Sequence, residues 1–212
     1  MDRSIVRKWC GVFAYLFVSA SVVEVTRAGD WPNWRGPNFD GISTEKFNPQ
    51  KIGNVVWKAE LGRGYASFSV VGDRVYTAGW ANGQDTTWCL NATDGKVIWK
   101  HTYAAPQMPN LHEGGPSATP TVHDGLVYTN SKDGQVYCLK EDTGEEVWKA
   151  NIHALSGQRK LPDWGYCSSG VIVGGNVVYD AGTTVAFDRK TGRVAWKSKT
   201  YKTGYSTPLL FK

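Results

Sequence analysis

Ala186-Phe187-Asp188-Arg189-Lys190-Thr191-Gly192-Arg193-Val194-Ala195-Trp196-Lys197 decides the fold, because the chain writes this unit three times. The other copies are Cys89-Leu90-Asn91-Ala92-Thr93-Asp94-Gly95-Lys96-Val97-Ile98-Trp99-Lys100 and Cys138-Leu139-Lys140-Glu141-Asp142-Thr143-Gly144-Glu145-Glu146-Val147-Trp148-Lys149. In each, an apolar run enters a polar turn closed by Gly, and a second run carries Trp and then Lys. The tryptophans stand 49 and 48 residues apart, and a partial copy, Val56-Trp57-Lys58, precedes the first by 42. A period of that size built from short strands is the sequence form of a β-propeller blade.

Gly95, Gly144 and Gly192 supply the positive φ that a short hairpin loop needs, and the Asp and Thr side chains before them brace the turn. An apolar residue precedes each Trp (Ile98, Val147, Ala195), which predicts partial burial of both faces of that strand. Upstream, small residues recur at 65–69, 116–120 and 166–170, read as the crowded inner strand of each blade. A turn and a Val-Tyr strand follow: Val75-Tyr76, Val127-Tyr128 and Val178-Tyr179. The fold class is therefore all-β, a propeller of four-stranded blades with about three blades present as a partial ring. A fourth unit opens at Gly204-Tyr205-Ser206-Thr207-Pro208. Rings usually hold four to eight blades, so the chain is expected to be the N-terminal part of a longer propeller.

The expected organisation is a signal peptide (1–28), an extended leader (29–51) and propeller blades (52–212). Arg3, Arg7 and Lys8 precede the apolar run from Trp9 to Val23, and Thr26-Arg27-Ala28 offers small residues for cleavage. The run is short for a membrane span. The expectation is an exported chain without a transmembrane segment after cleavage, whether periplasmic, outer-membrane-associated or secreted. Losing residues 1–28 removes four basic and two acidic side chains and lowers the net charge from +5 to +3. The remaining basic residues are scattered, which speaks against nucleic acid as a partner. Cys89, Cys138 and Cys167 remain, an odd number without a C-x-x-C pair, so neither a disulfide framework nor a zinc site is implied.

The interval from the strand Tyr to the tryptophan unit falls from 13 to 10 to 7 residues, and the connections at 104–114 and 154–164 are long. Binding groups favour such loops over a rigid scaffold, which makes His112, Glu113, Arg159, Lys160, Asp163 and Trp164 the candidate binding face. His112 lacks the second His of an H-E-x-x-H zinc site. His101, His123 and His153 read as packing or surface residues. No catalytic, cofactor-binding or metal-ligating residue is assigned.

The unit from Ala186 to Trp196 resembles the tryptophan-docking repeat A-x-D-x-x-T-G-x-x-x-W of pyrroloquinoline-quinone-type (PQQ-like) propellers. The other copies match more loosely. Gly115-Pro116-Ser117-Ala118-Thr119-Pro120-Thr121-Val122 and the leader Trp31-Pro32-Asn33-Trp34-Arg35-Gly36-Pro37-Asn38-Phe39-Asp40-Gly41 are similar to segments of secreted bacterial members. The resemblance implies that Trp57, Trp99, Trp148 and Trp196 pack between blades. It also implies one of two functions. Some members are quinoprotein dehydrogenases using PQQ and calcium on alcohols or sugars, and others are ligand-free scaffolds, BamB-like proteins of outer-membrane assembly among them. The dehydrogenases stack PQQ against a disulfide of adjacent cysteines, and this chain has no Cys-Cys pair. The preferred expectation is a non-catalytic, cofactor-free envelope scaffold that binds a protein or polysaccharide partner. The alternative is a PQQ- and calcium-dependent dehydrogenase.

Overall fold

The computed structural model describes residues 29–51, 53–110 and 112–210; the expected signal peptide, residues 1–28, lies outside them. The first antiparallel sheet joins β1 (Ser69–Val71), β2 (Arg74–Ala81), β3 (Gln84–Asn91) and β4 (Val97–Ala104) in sequence order. The second joins β5 (Thr121–His123), β6 (Leu126–Asn130), β7 (Gln135–Lys140) and β8 (Glu146–Asn151), and the third β9 (Val171–Val173), β10 (Asn176–Asp180), β11 (Thr184–Asp188) and β12 (Val194–Lys197). These are the three blades that the repeat implies. No helix among the described residues is long and apolar enough to cross a membrane.

The last hairpin has the same pairing in every blade. Cys89 faces Trp99, Cys138 faces Trp148 and Ala186 faces Trp196, with a register shift directly after the small residue. A small side chain opposite the indole leaves it room, and cross-strand neighbours share a face. The turn of the third blade is braced as the sequence suggests, the Asp188 carboxylate accepting the Lys190 and Thr191 N–H groups. In the first blade Asn91 does the same for Thr93 and Asp94.

The indoles of Trp57, Trp99 and Trp148 then reach the next turn. Trp99 Nε1–H donates to the Glu141 carbonyl (2.9 Å) and Trp148 Nε1–H to that of Arg189 (3.0 Å). Trp57 does the same to Ala92 of the first blade (3.0 Å). Every acceptor lies three residues before the turn Gly, and the indole covers that Gly: a Cβ at Gly144 would stand 2.6 Å from Trp99 Cε3. Trp99 and Trp148 are 7% exposed, whereas Trp196 is 47% exposed, in a recess with Val178, Pro208 and Leu210. Burying an indole of roughly 200 Å² is worth on the order of 5 kcal/mol.

Four expectations need correction. Ile98 and Val147 are each 40% exposed and Ala195 is exposed, so the Trp strand buries one face in the first two blades and neither in the third. It is the outermost strand of its blade, and its second face meets solvent. Apart from Ser69, which opens β1, the small-residue segments precede the first strands instead of forming them. Three of their N–H groups go sideways to hydroxyls of the next unit, Ser67 to Thr119 (3.1 Å), Thr119 to Ser169 (2.9 Å) and Ser169 to Thr207 (3.0 Å). The 13-residue interval of the first blade is not a loop: β2 and β3 are eight residues each and meet at Asn82-Gly83, with φ of 51° and 79°. That is type I′ geometry, which continues the strand twist.

The Val-Tyr alignment also slips by one residue in the third blade. Tyr76 pairs with Cys89 and Tyr128 with Cys138, but Val178 pairs with Ala186 and Tyr179 with Val185. One step in a strand changes the face. Tyr179 therefore joins the core shared with Trp148 and Phe187, and Val178 lines the recess of Trp196.

Replacing Gly144 with Ala should destabilise the protein by about 1–2 kcal/mol for its left-handed backbone plus about 1–2 for displacing Trp99. Gly125→Ala carries only the backbone part, since nothing lies within 4 Å of its Cβ position. Urea unfolding of both variants checks the difference, and equal losses would mean that the indole contact contributes nothing.

Candidate functional site

The long connections begin where the sheets hand the chain over. Ala105 N–H donates to the Gly83 carbonyl (3.1 Å), which holds the first connection on the face of the β2–β3 turn. Gly115 N–H donates to Gln107 O (2.8 Å) and Gly114 N–H to His112 Nδ1 (2.9 Å), closing the connection on itself. The second connection starts with a one-turn helix, α1 (Ile152–Ser156), capped by the Asn151 carboxamide and ended by Gly157 at φ 73°. A single turn leaves no helical periodicity, and only the Asn and Gly punctuation marks it in the sequence. Asn110 Nδ2 donates to the Asp163 carbonyl (3.2 Å) and joins the two connections.

The candidate residues divide accordingly. His112 packs edge-on against Tyr65 with ring centroids 4.8 Å apart. The exposed Glu113 carboxylate lies 3.9 Å from Arg63. Trp164 packs against Tyr205 at 4.9 Å, and Asp163 is exposed beside it. Arg159 and Lys160 are also exposed but have no ion pair among the described residues. His112 and Glu113 thus lie on the first connection and Arg159, Lys160, Asp163 and Trp164 on the second, with Asn110 and Asp163 joining the two.

Beneath this face lies a polar group that the sequence reading missed. Lys132 sits in Ser131-Lys132-Asp133-Gly134, which reads as a solvated turn, yet it is only 1% exposed. Its Nζ is 3.5 Å from His112 Nε2. Because Gly114 donates to Nδ1, the neutral imidazole carries its proton on Nε2, so two donors face each other while Lys132 is charged. Burial lowers the Lys132 pKa from its ordinary value, against the pull of Cys167 and Asp85. Asp85 is 2% exposed and its Oδ1 has no hydrogen-bond partner. Burial first, and then the charge of Asp133, pushes its carboxyl up to about 7, against the pull of Lys132. Tyr103, whose hydroxyl is also unpartnered, is raised by burial and by Asp85.

Toward the inner edge, Ser117, Cys167, Ser169, Tyr205, Ser206 and Thr207 share a cavity of about 290 Å³ with Trp34 of the leader. The Cys167 thiol donates to the Trp164 carbonyl (3.3 Å), and burial raises its pKa. Cys89 and Cys138 are fully buried and free, raised by burial to about 11 and about 12.

PQQ and calcium can be tested against these residues. Among the described residues no three His, Cys, Asp or Glu side chains are grouped as a metal site requires. The chain has no adjacent cysteines to stack a quinone ring.

A family model described as outer membrane protein assembly factor BamB matches residues 46–209. The chain is 27% identical over 174 residues to quinohemoprotein alcohol dehydrogenase ADH-IIG of Pseudomonas putida, covering 72% of this chain and 22% of that protein. It is 24% identical over 148 residues to outer membrane protein assembly factor BamB of Yersinia pestis, covering 68% of this chain and 36% of that one. A solved quinohemoprotein alcohol dehydrogenase from Comamonas testosteroni superposes with a TM-score of 0.63 at 21% identity, over 79% of this chain and 27% of that one, which shows the shared fold. The chain thus spans well under half the length of these relatives.

Asp85 gives a pH dependence with a definite sign. Its folded pKa lies above its unfolded one, so the folded state holds the proton more tightly, and stability falls as pH rises from about 4 to about 7. The loss is up to about 4 kcal/mol. Asp85→Asn should flatten the urea midpoint across that window, and an unchanged slope would remove Asp85 as its cause.

Proposed function

Because the chain belongs to the PQQ-like propeller family whose model is described as outer membrane protein assembly factor BamB, we propose that it is a non-catalytic envelope scaffold. In this reading residues 1–28 export it, residues 29–51 lead into the blades, and residues 52–212 begin a longer propeller. Trp57, Trp99, Trp148 and Trp196 act as docking residues that lock each blade to the next. The face carrying His112, Glu113, Arg159, Lys160, Asp163 and Trp164 meets a protein partner in the periplasm or at the outer membrane, or a polysaccharide there.

One observation carries the reading. The Asn110 to Asp163 hydrogen bond braces two long connections from different blades into one surface. A stiff surface loses little entropy when a partner docks, and no cofactor enters the argument. Its exposed groups are mixed in kind, the acids Glu113 and Asp163, the bases Arg159 and Lys160 and the aromatic Trp164. That combination suits a protein surface with both signs of charge and an apolar anchor.

The second reading, a PQQ- and calcium-dependent dehydrogenase for alcohols or sugars, is favoured by the similarity to the Pseudomonas putida enzyme. Titrating the protein from its native source with PQQ and calcium, followed by tryptophan fluorescence, separates the two. The scaffold reading expects no saturable quenching. Saturation near one equivalent would overturn it in favour of the dehydrogenase.

A further inference from the structure

The leader is stitched across the inner edges of two sheets. Trp31 exchanges both backbone hydrogen bonds with Val70 of β1 (2.7 and 2.9 Å), and the Pro32 carbonyl accepts the Val122 N–H of β5 (2.8 Å). The Asp30 carboxylate accepts the Gly72 N–H (2.8 Å). β1 and β5 are edge strands, and these bonds occupy ladder groups that an edge leaves open. The leader then reverses at Asn33, which is 6% exposed. Its carboxamide donates to the Gly36 carbonyl (2.9 Å) and accepts the Arg35 N–H (3.0 Å). Gly36, at φ 74°, lies against the Trp31 ring, where a Cβ would come within 2.7 Å.

This reversal delivers Trp34 to the inner edge. Its indole borders the cavity of Ser117, Cys167, Ser169, Tyr205, Ser206 and Thr207 on one side. On the other it borders a recess shared with Phe39, Val171 and Pro208. We propose that the leader is a strap and Trp34 its plug, restricting access to that hydroxyl- and thiol-lined cavity. A partner that lifts the strap widens access to the buried Ser169 and the half-buried Ser117, Cys167 and Thr207, beside Tyr205 and Ser206, which are already exposed. The proposal stands apart from the scaffold reading, since the strap can restrict the cavity whether or not the loop face binds a partner.

Cys167 reports on the plug. Under native conditions at one pH, N-ethylmaleimide labelling mapped by mass spectrometry should run at least about tenfold faster at Cys167 in Trp34→Ala than in wild type, because thiol reactivity follows access. Trp34→Phe, which keeps a ring at the site, should stay near the wild-type rate. Cys89 and Cys138, both fully buried, should remain silent and so certify the fold. An unchanged Cys167 rate in Trp34→Ala, with those two silent, would overturn the proposal. If they also react, Trp34→Leu takes its place, and the same comparison of Cys167 rates decides.

Discussion

An indole laid on the turn glycine of the next blade is the contact on which the other features of the repeat depend. It requires Gly for two reasons. The turn needs a left-handed residue, and a Cβ at Gly144 would stand inside contact distance of the Trp99 ring. The contact also needs the small residue opposite the Trp, which is why Cys89, Cys138 and Ala186 share one repeat position. The indole N–H is then satisfied by a turn carbonyl, so burying a polar atom costs little. The Tyr76 hydroxyl donates to Glu141 Oε1 (3.3 Å) and that of Tyr128 to the Arg189 carbonyl (3.0 Å), so two aromatic side chains of one blade grip each neighbouring turn.

The inner edge is held differently. There a backbone N–H of one unit donates to a Ser or Thr hydroxyl of the next at Thr119, Ser169 and Thr207. Apolar docking at the rim and polar rungs at the centre fix each sheet at two radii. The connections between blades are left free to vary while their ends stay fixed. Their length and polarity on one face, over a buried Lys132 beside His112 and a buried Asp85 with an unpartnered oxygen, make that face the place where the molecule departs from its own repeat.

The blades were legible because Trp, Gly and the small residue recur at constant spacing, and constant spacing is what a repeated contact imposes. Features that break the repeat were harder to read. The Asn82-Gly83 turn is a strong hairpin signal, but it lies inside the longest Tyr-to-unit interval, whose length resembles that of a loop. Tyr179 looked equivalent to Tyr76 and Tyr128, and only the cross-strand register reveals that it stands on the other face. The positions of His112, Glu113, Arg159, Lys160, Asp163 and Trp164 on the two long connections were legible from interval length alone. Lys132 was not, because a lysine in a Ser-Lys-Asp-Gly turn is ordinarily solvated, and its burial follows from the next connection folding over it through the Tyr166 N–H to Lys132 carbonyl bond (2.8 Å).

If the indoles hold the blades together, their N–H protons must be shielded by the fold as a whole. Hydrogen exchange of the tryptophan side chains, followed by nuclear magnetic resonance, measures this directly. The account predicts that the Nε1–H groups of Trp99 and Trp148 exchange slowly and with a common opening free energy, matching the slowest backbone amides of β3 and β7. Exchange of both indoles as fast as free tryptophan, while those amides stay protected, would contradict it.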